Sequence, residues 1–197
     1  MLKPVLVTPP AVALMTLEEA KRHCHVELLQ PDDDAVLSGL ILAVTAYLDG
    51  YSGILGRALV NQTWRVNLHS WPPCKIRLPL SPVSSIASIK YHDTLNNEVT
   101  LDAGNFSLHE DALSPFAEWS STASLPSLYD RPDAIAVDFV AGYGAAASNV
   151  PAAIILGAKM LLATWFENRE ASIVGTSAQE LPFAVEALIS PFRRVGF

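Results

Sequence analysis

The chain has 197 residues, half of them hydrophobic and 17% charged, which suits one good core or a core with a smaller lobe and excludes a disordered chain. Its formal net charge is −7, from 13 basic and 20 acidic residues. That balance excludes a dedicated nucleic-acid grip, because displacing counterions from phosphates needs clustered Lys and Arg, and the only basic doublets are Lys21-Arg22 and Arg193-Arg194.

Cys24 and Cys74 lie in contexts without metal-ligand spacing, so reduced thiols in a cytoplasm are expected. The opening "MLKPVLVTPPAVALMT" is interrupted by Pro4, Pro9 and Pro10 and lacks the pattern of a signal peptide. The most apolar run, Val150 to Phe166, contains Lys159 and falls short of the roughly 20 residues that cross a bilayer. A soluble protein without a membrane partner is expected.

Thr16 followed three residues later by Glu19 forms a capping box and opens a first helix that ends near Val26. After Pro31, the run Asp32-Asp33-Asp34 places negative charge at the start of a second helix, where the helix dipole favours it. Leu37, Ile41, Val44, Leu48 and Tyr51 give that helix one apolar stripe, and Gly53 and Gly56 stop it. From Gln62 the period becomes two: Trp64, Val66 and Leu68 alternate with Arg65, Asn67 and His69, as a strand with one wet face requires. Further strands are expected at Lys75–Leu78, Ile86–His92, Glu98–Leu101 and Asn105–His109, with "HDTLNNE" as a hairpin loop, and at "AIAVDFV". Seven of the 14 prolines fall between Trp71 and Pro132, which forbids helix there. Asp111–Pro132 has no period and is expected as a long surface excursion. Past "AGYGAAASNVP", Pro151 suits a first helical position, and Ile154, Ile155, Ala158, Leu161, Leu162, Trp165 and Phe166 form a broad apolar face.

The expected class is α+β: a helical bundle formed by N- and C-terminal helices with an inserted antiparallel β lobe. Residues 1–60 supply the first helices, 61–148 the lobe, and 149–197 the helices that complete the bundle, plus a C-terminal arm.

Reactive sites find little support. His23 and His25, two apart on a helix, point about 200° apart and cannot share an ion there. Asp32-Asp33-Asp34 begins like a calcium loop but lacks the glycine and the distant glutamate, which leaves helix capping. There is no G-x-S-x-G elbow, dinucleotide fingerprint or Walker pattern, and "AGYG" reads as a turn. No catalytic residue, metal or cofactor is expected. The alternative is a small cytoplasmic, hydrolase-like enzyme, with a cleft between bundle and lobe lined by His92, His109 and Glu110.

The stretch "TWFENREASIVGTSAQELPFAVEALISPFR" raises a different question. On a helix Glu167 and Glu170 are neighbours while Arg169 points elsewhere, which fits either an intramolecular salt bridge or a seam between subunits. Downstream, Leu181, Phe183, Val185, Leu188, Ile189 and Phe192 give a short amphipathic helix behind a small-residue tether. Burying each large side chain yields about 1.5–3 kcal/mol, while ordering each residue costs about 1–2 kcal/mol. Such an arm stays put only where it docks well, on its own bundle or on a neighbour's. The expected protein interface is therefore Trp165, Phe166, Glu167, Arg169, Glu170, Leu181, Phe183, Leu188 and Phe192.

These pieces, in order "TLEEAKRHCHV", "GRALVNQTWRVNL", "LPLSPVSSIASIKY", "VDFVAGYG", "VPAAIILGAKMLLATWFENREA" and "ELPFAVEALISPFR", cover nearly the whole chain. Together the chain resembles the head-tail connector (adaptor) proteins of tailed bacteriophages, in the longer subfamily linked to DNA packaging. His23-Cys24-His25 and Asp111–Pro132 depart from the family pattern. The resemblance implies a structural subunit of a ring, commonly twelvefold, stacked beneath the portal protein. DNA would pass through without sequence-specific binding, and tail-completion proteins would dock below. It implies a place at the head-tail junction of a virion, with host cytoplasm before assembly.

Overall fold

The computed structural model describes residues 1–120, 123–168 and 183–194. The fold is α+β and divides into two compact units, Met1–Ala11 with Asn61–Tyr143, and Val12–Val60 with Gly144–Phe197.

The second unit is helical. Its helix α1 (Leu17–His23) opens on the capping box: the Thr16 amide donates to Glu19 Oε2 at 2.9 Å, and the Glu19 amide donates to Thr16 Oγ1 at 3.1 Å. The Thr16 amide is the main reason the Glu19 carboxyl sits below its ordinary value; burial opposes this, and Lys159 adds to it. Helix α2 (Asp34–Leu48) buries Leu37, Ile41, Val44 and Leu48, the stripe that its sequence spacing predicts. Tyr51 lies past the helix end and is exposed, because the chain leaves helical geometry after Leu48. Asp33 stands at the N-cap without a side-chain cap hydrogen bond. Asp34 instead pairs with Lys21, a lysine only 3% exposed whose ammonium also donates to the carbonyls of Leu28 and Gln30 at 3.1 and 2.7 Å. A buried cation needs such an answer, and Lys21 thereby fastens the α1–α2 connection. Helix α3 (Ala152–Glu167) packs with both, burying Ile154, Ala158, Leu161 and Leu162. A fourth helix, α4 (Phe183–Ile189), and a 3-10 turn (Ser190–Phe192) complete the described residues of this unit.

The first unit is built from two antiparallel sheets. One has five strands in the order β1 (Val5–Thr8), β2 (Gln62–Leu68), β8 (Ile135–Ala141), β4 (Val83–His92) and β5 (Glu98–Thr100). Strict alternation works as expected at its centre. Trp64, Val66 and Leu68 on β2 stand opposite Phe139, Val137 and Ile135 on β8, and all six are buried. On the other face Arg65 stands opposite Asp138 and holds it through two charge-assisted bonds of 2.7 and 2.8 Å. The "HDTLNNE" hairpin closes between β4 and β5, with Asp93 Oδ1 accepting from the amides of Leu95 and Asn97, both at 2.9 Å. Gly142 in "AGYG" has φ of 143°, a backbone angle that side chains rarely adopt, and its amide donates to the Pro82 carbonyl at 2.9 Å.

The other sheet has three strands, in the order β3 (Lys75–Arg77), β7 (Pro115–Trp119) and β6 (Phe106–Glu110). Here two expectations are corrected. Asp111–Pro132 is not a plain excursion, since β7 forms the middle strand. And the first residues belong with the sheets, where β1 pairs with β2, and not with the helices of 1–60. The turn between β6 and β7 is locked by Asp111. Its carboxylate accepts from Arg77 Nη1 and Nη2, both at 2.9 Å, from Lys75 at 3.2 Å, and from the amides of Leu113 and Ser114, both at 3.0 Å. Those donors, Arg77 first, hold its carboxyl well below the usual carboxylate range. The rest of the region is clamped by indoles. Trp71 and Trp119 meet edge to face at 5.3 Å and donate to the carbonyls of Pro126 and Pro72, at 2.9 and 3.2 Å.

Candidate subunit interface

The sequence-predicted interface residues fall into three groups. Arg169, Glu170 and Leu181 lie outside the described residues. Trp165 and Phe166, in the last turn of α3, are half-buried, and Trp165 meets the Tyr47 ring of α2 edge to face at 5.7 Å. Glu167 is exposed. Its charge adds to burial, the larger cause, in pushing the nearby Cys24 thiol up.

The third group lies on α4. Val185 and Ile189 are fully buried, Leu188 and Phe192 are half-buried, and Phe183 is 87% exposed. The seat for α4 is Gly157 on α3, where a Cβ would come within 2.8 Å of Ile189 Cγ2 and 3.8 Å of Leu188 Cβ. The segment is then tied down by backbone: Arg57 Nε donates to the Phe192 carbonyl at 2.6 Å, and the Arg194 amide donates to Leu55 O at 2.9 Å. Arg193 grips Glu186 through two bonds of 2.7 and 2.9 Å. An arm separable from its own unit is therefore not what these residues form. Val185 and Ile189 belong to the core of the helical unit, and Phe183 is left as a free apolar surface residue.

Sequence reasoning missed a second surface feature of the helical unit. A pocket of about 350 Å³ opens beside α3, walled by Leu14, Val150, Ile155 and Leu156, with Glu19 and Lys159 among its lining residues. Lys159 donates to Glu19 Oε1 at 3.1 Å there, a half-exposed pair that contributes little by itself. The available signal was Leu156, an apolar residue off the buried stripe of α3 and 46% exposed.

The residues weighed for catalysis are not gathered. His92 ends β4 in one sheet and has Asn96 O at 3.5 Å from Nδ1. His109 and Glu110 end β6 in the other, where His109 pairs at 2.8 Å with Ser107 and stands 3.8 Å from an exposed Glu118. Cys24 caps α1 between His23, the last helical residue, and His25, whose φ is 55°. Among the described residues no group of three or more His, Cys, Asp or Glu could hold a metal ion, and no helix is long and apolar enough to cross a membrane.

No family model and no curated protein matches the chain. Solved structures do. The chain is similar, at 24% identity and TM-score 0.79, to a chain in the neck of an empty gene transfer agent (GTA) particle computed with C6 symmetry. That likeness covers 100% of this chain and 97% of the other. A chain of the virion of the native GTA particle gives a TM-score of 0.78 at the same identity and coverage. One from the neck of the native particle computed with C12 symmetry gives 0.66, over 98% of this chain and 97% of that one. The chain thus shares, end to end, the fold of these proteins.

Proposed function

We propose that this chain is a structural subunit of the neck of a tailed, phage-like particle. It assembles as a ring beneath the portal protein, offers DNA a passage, and gives tail-completion proteins a docking surface. The observation that carries this reading is the end-to-end likeness to neck chains of GTA particles computed with sixfold and twelvefold symmetry. It agrees with the family resemblance of the sequence, which is independent of coordinates. A net charge of −7 suits a passage, because an acidic wall repels phosphate and lets the polymer slide. Among the described residues His92 ends a strand of one sheet while His109 and Glu110 end a strand of the other, which lends the hydrolase alternative no support. In this reading the protein works in the virion at the head-tail junction, after a period in the host cytoplasm. Trp165, Phe166, Glu167, Arg169, Glu170, Leu181, Phe183, Leu188 and Phe192 lie at or behind the contact between neighbours.

Multi-angle light scattering over a concentration series, alone and with portal protein, tests it. A closed oligomer of fixed subunit number is expected. A species that stays monomeric in every arm would overturn the reading.

A further inference from the structure

A closed ring needs two different patches on every copy, one to give and one to receive. The helical unit carries such a pair on opposite sides of one helix. On α3, Gly157 receives α4, while Ala152, Ile155, Leu156 and Lys159 line the pocket. At about 100° per residue, Ala152, Ile155 and Lys159 lie roughly 140–160° from Gly157 and Leu156 about 100°, so the pocket opens on a face of α3 turned away from α4. On α4, Phe183 is two residues from Val185 and so points roughly 200° away from it. Val185 is 0% exposed, so Phe183, at 87%, projects outward from the side of α4 that does not touch α3. The unit therefore presents an aromatic knob in front and an apolar pocket behind.

We propose that Phe183 of one copy enters the pocket walled by Leu14, Val150, Ile155 and Leu156 of the next. The inference rests on the ring reading and names the contact that builds the ring. The occupant is a second copy because one chain supplies both halves. Where the rotation closes, n copies fill n pockets and leave no knob in water. The pocket, at about 350 Å³, falls in the range of about 300–1,000 Å³ that receives small ligands, and an aromatic ring is smaller than those. Among the described residues of the unit no side chain fills the pocket, and Phe183 is 87% exposed.

The test is a double-cysteine variant that keeps Phe183, Ala184→Cys beside the knob with Ser148→Cys at the pocket, in a Cys24→Ala, Cys74→Ala background. It is treated with a short bis-maleimide at concentrations where light scattering shows rings. A covalent ladder climbing past the dimer is expected, with neither single-cysteine variant giving one. Phe183→Asp should raise the half-assembly concentration at least about tenfold while leaving the unfolding midpoint unchanged, and Leu156→Asp should do the same from the pocket side. An equal mixture of those two variants retains one intact contact per pair and should stop at heterodimers. Rings that give no ladder, a ladder ending at the dimer, or Phe183→Asp rings forming at wild-type concentration would each overturn this contact and leave the neck reading standing. Failure of rings to form in every arm, the unsubstituted chain with portal protein included, would remove both.

Discussion

The two units are held together by different chemistry. Beside the buried core of β2 and β8, the sheet unit is fastened by charge: Arg65 on Asp138, Arg77 and Lys75 on Asp111, Arg131 on Asp133 and Lys90 on Glu98. The helical unit carries surface pairs too, Arg193 on Glu186 and Lys159 on Glu19, but leans more on its interior: apolar stripes, α4 seated on Gly157, and one buried lysine. Short strands and turns leave carboxylates and guanidinia within reach of one another, whereas helices bury whole side chains and depend on fit. The two units should therefore fail under different insults.

The most severe change is predicted in the helical unit. Lys21→Met removes the cation that answers Asp34 and the carbonyls of Leu28 and Gln30, and should cost about 3–5 kcal/mol by urea unfolding. Ile189→Ala empties the seat on Gly157 and should cost about 2–5 kcal/mol, with loss of α4 protection in hydrogen exchange. A neutral result for Ile189→Ala would mean that α4 is not core and would restore the separable arm.

In the sheet unit the effects are smaller. Asp138→Asn weakens one two-point pair of which Arg65 is over a third exposed, and should cost about 1–2 kcal/mol. Acid sharpens the contrast. Asp93, Glu98, Asp111 and Asp133 all titrate below their ordinary values in the folded sheet unit, each because hydrogen-bond donors favour the carboxylate. In the helical unit Glu19 shows that shift. A depressed folded-state pKa stabilises above the unfolded value and is lost as pH falls through the folded one. As pH falls below about 4 the near-ultraviolet signal of Trp71 and Trp119 should therefore fade before the helical far-ultraviolet signal, and Asp111→Asn should shift that loss to higher pH. Simultaneous loss of both signals would erase the distinction. The smallest stability effect belongs to Phe183→Asp, within about 0.5 kcal/mol, because that side chain touches little in its own subunit.

What could be read from the sequence follows the same division. Helices α1 to α3 announced themselves through a capping box and four-and-three spacing, and β2 and β8 through alternation, because each of those signals is local. Strand β1 was missed because Val5, Leu6, Val7 and Thr8 are all exposed, so no alternation marks a face. Strand β7 was missed because it begins on Pro115, buries three residues in succession, and owes its existence to partners 40 residues away in β3 and nearby in β6. The C-terminal segment was half legible. An amphipathic C-terminal helix is visible in the chain, but its seat depends on the missing side chain of Gly157, and the pocket gathers residues from both ends of the sequence. Arg169, Glu170 and Leu181 remain candidates by sequence alone.

The most direct test of the account is electron cryomicroscopy of particles that carry this protein. The account predicts one ring of this chain on the particle axis at the head-tail junction, encircling the DNA path, with each subunit's α4 facing the reverse side of α3 in the next. Particles that hold it anywhere other than an axial ring would contradict it.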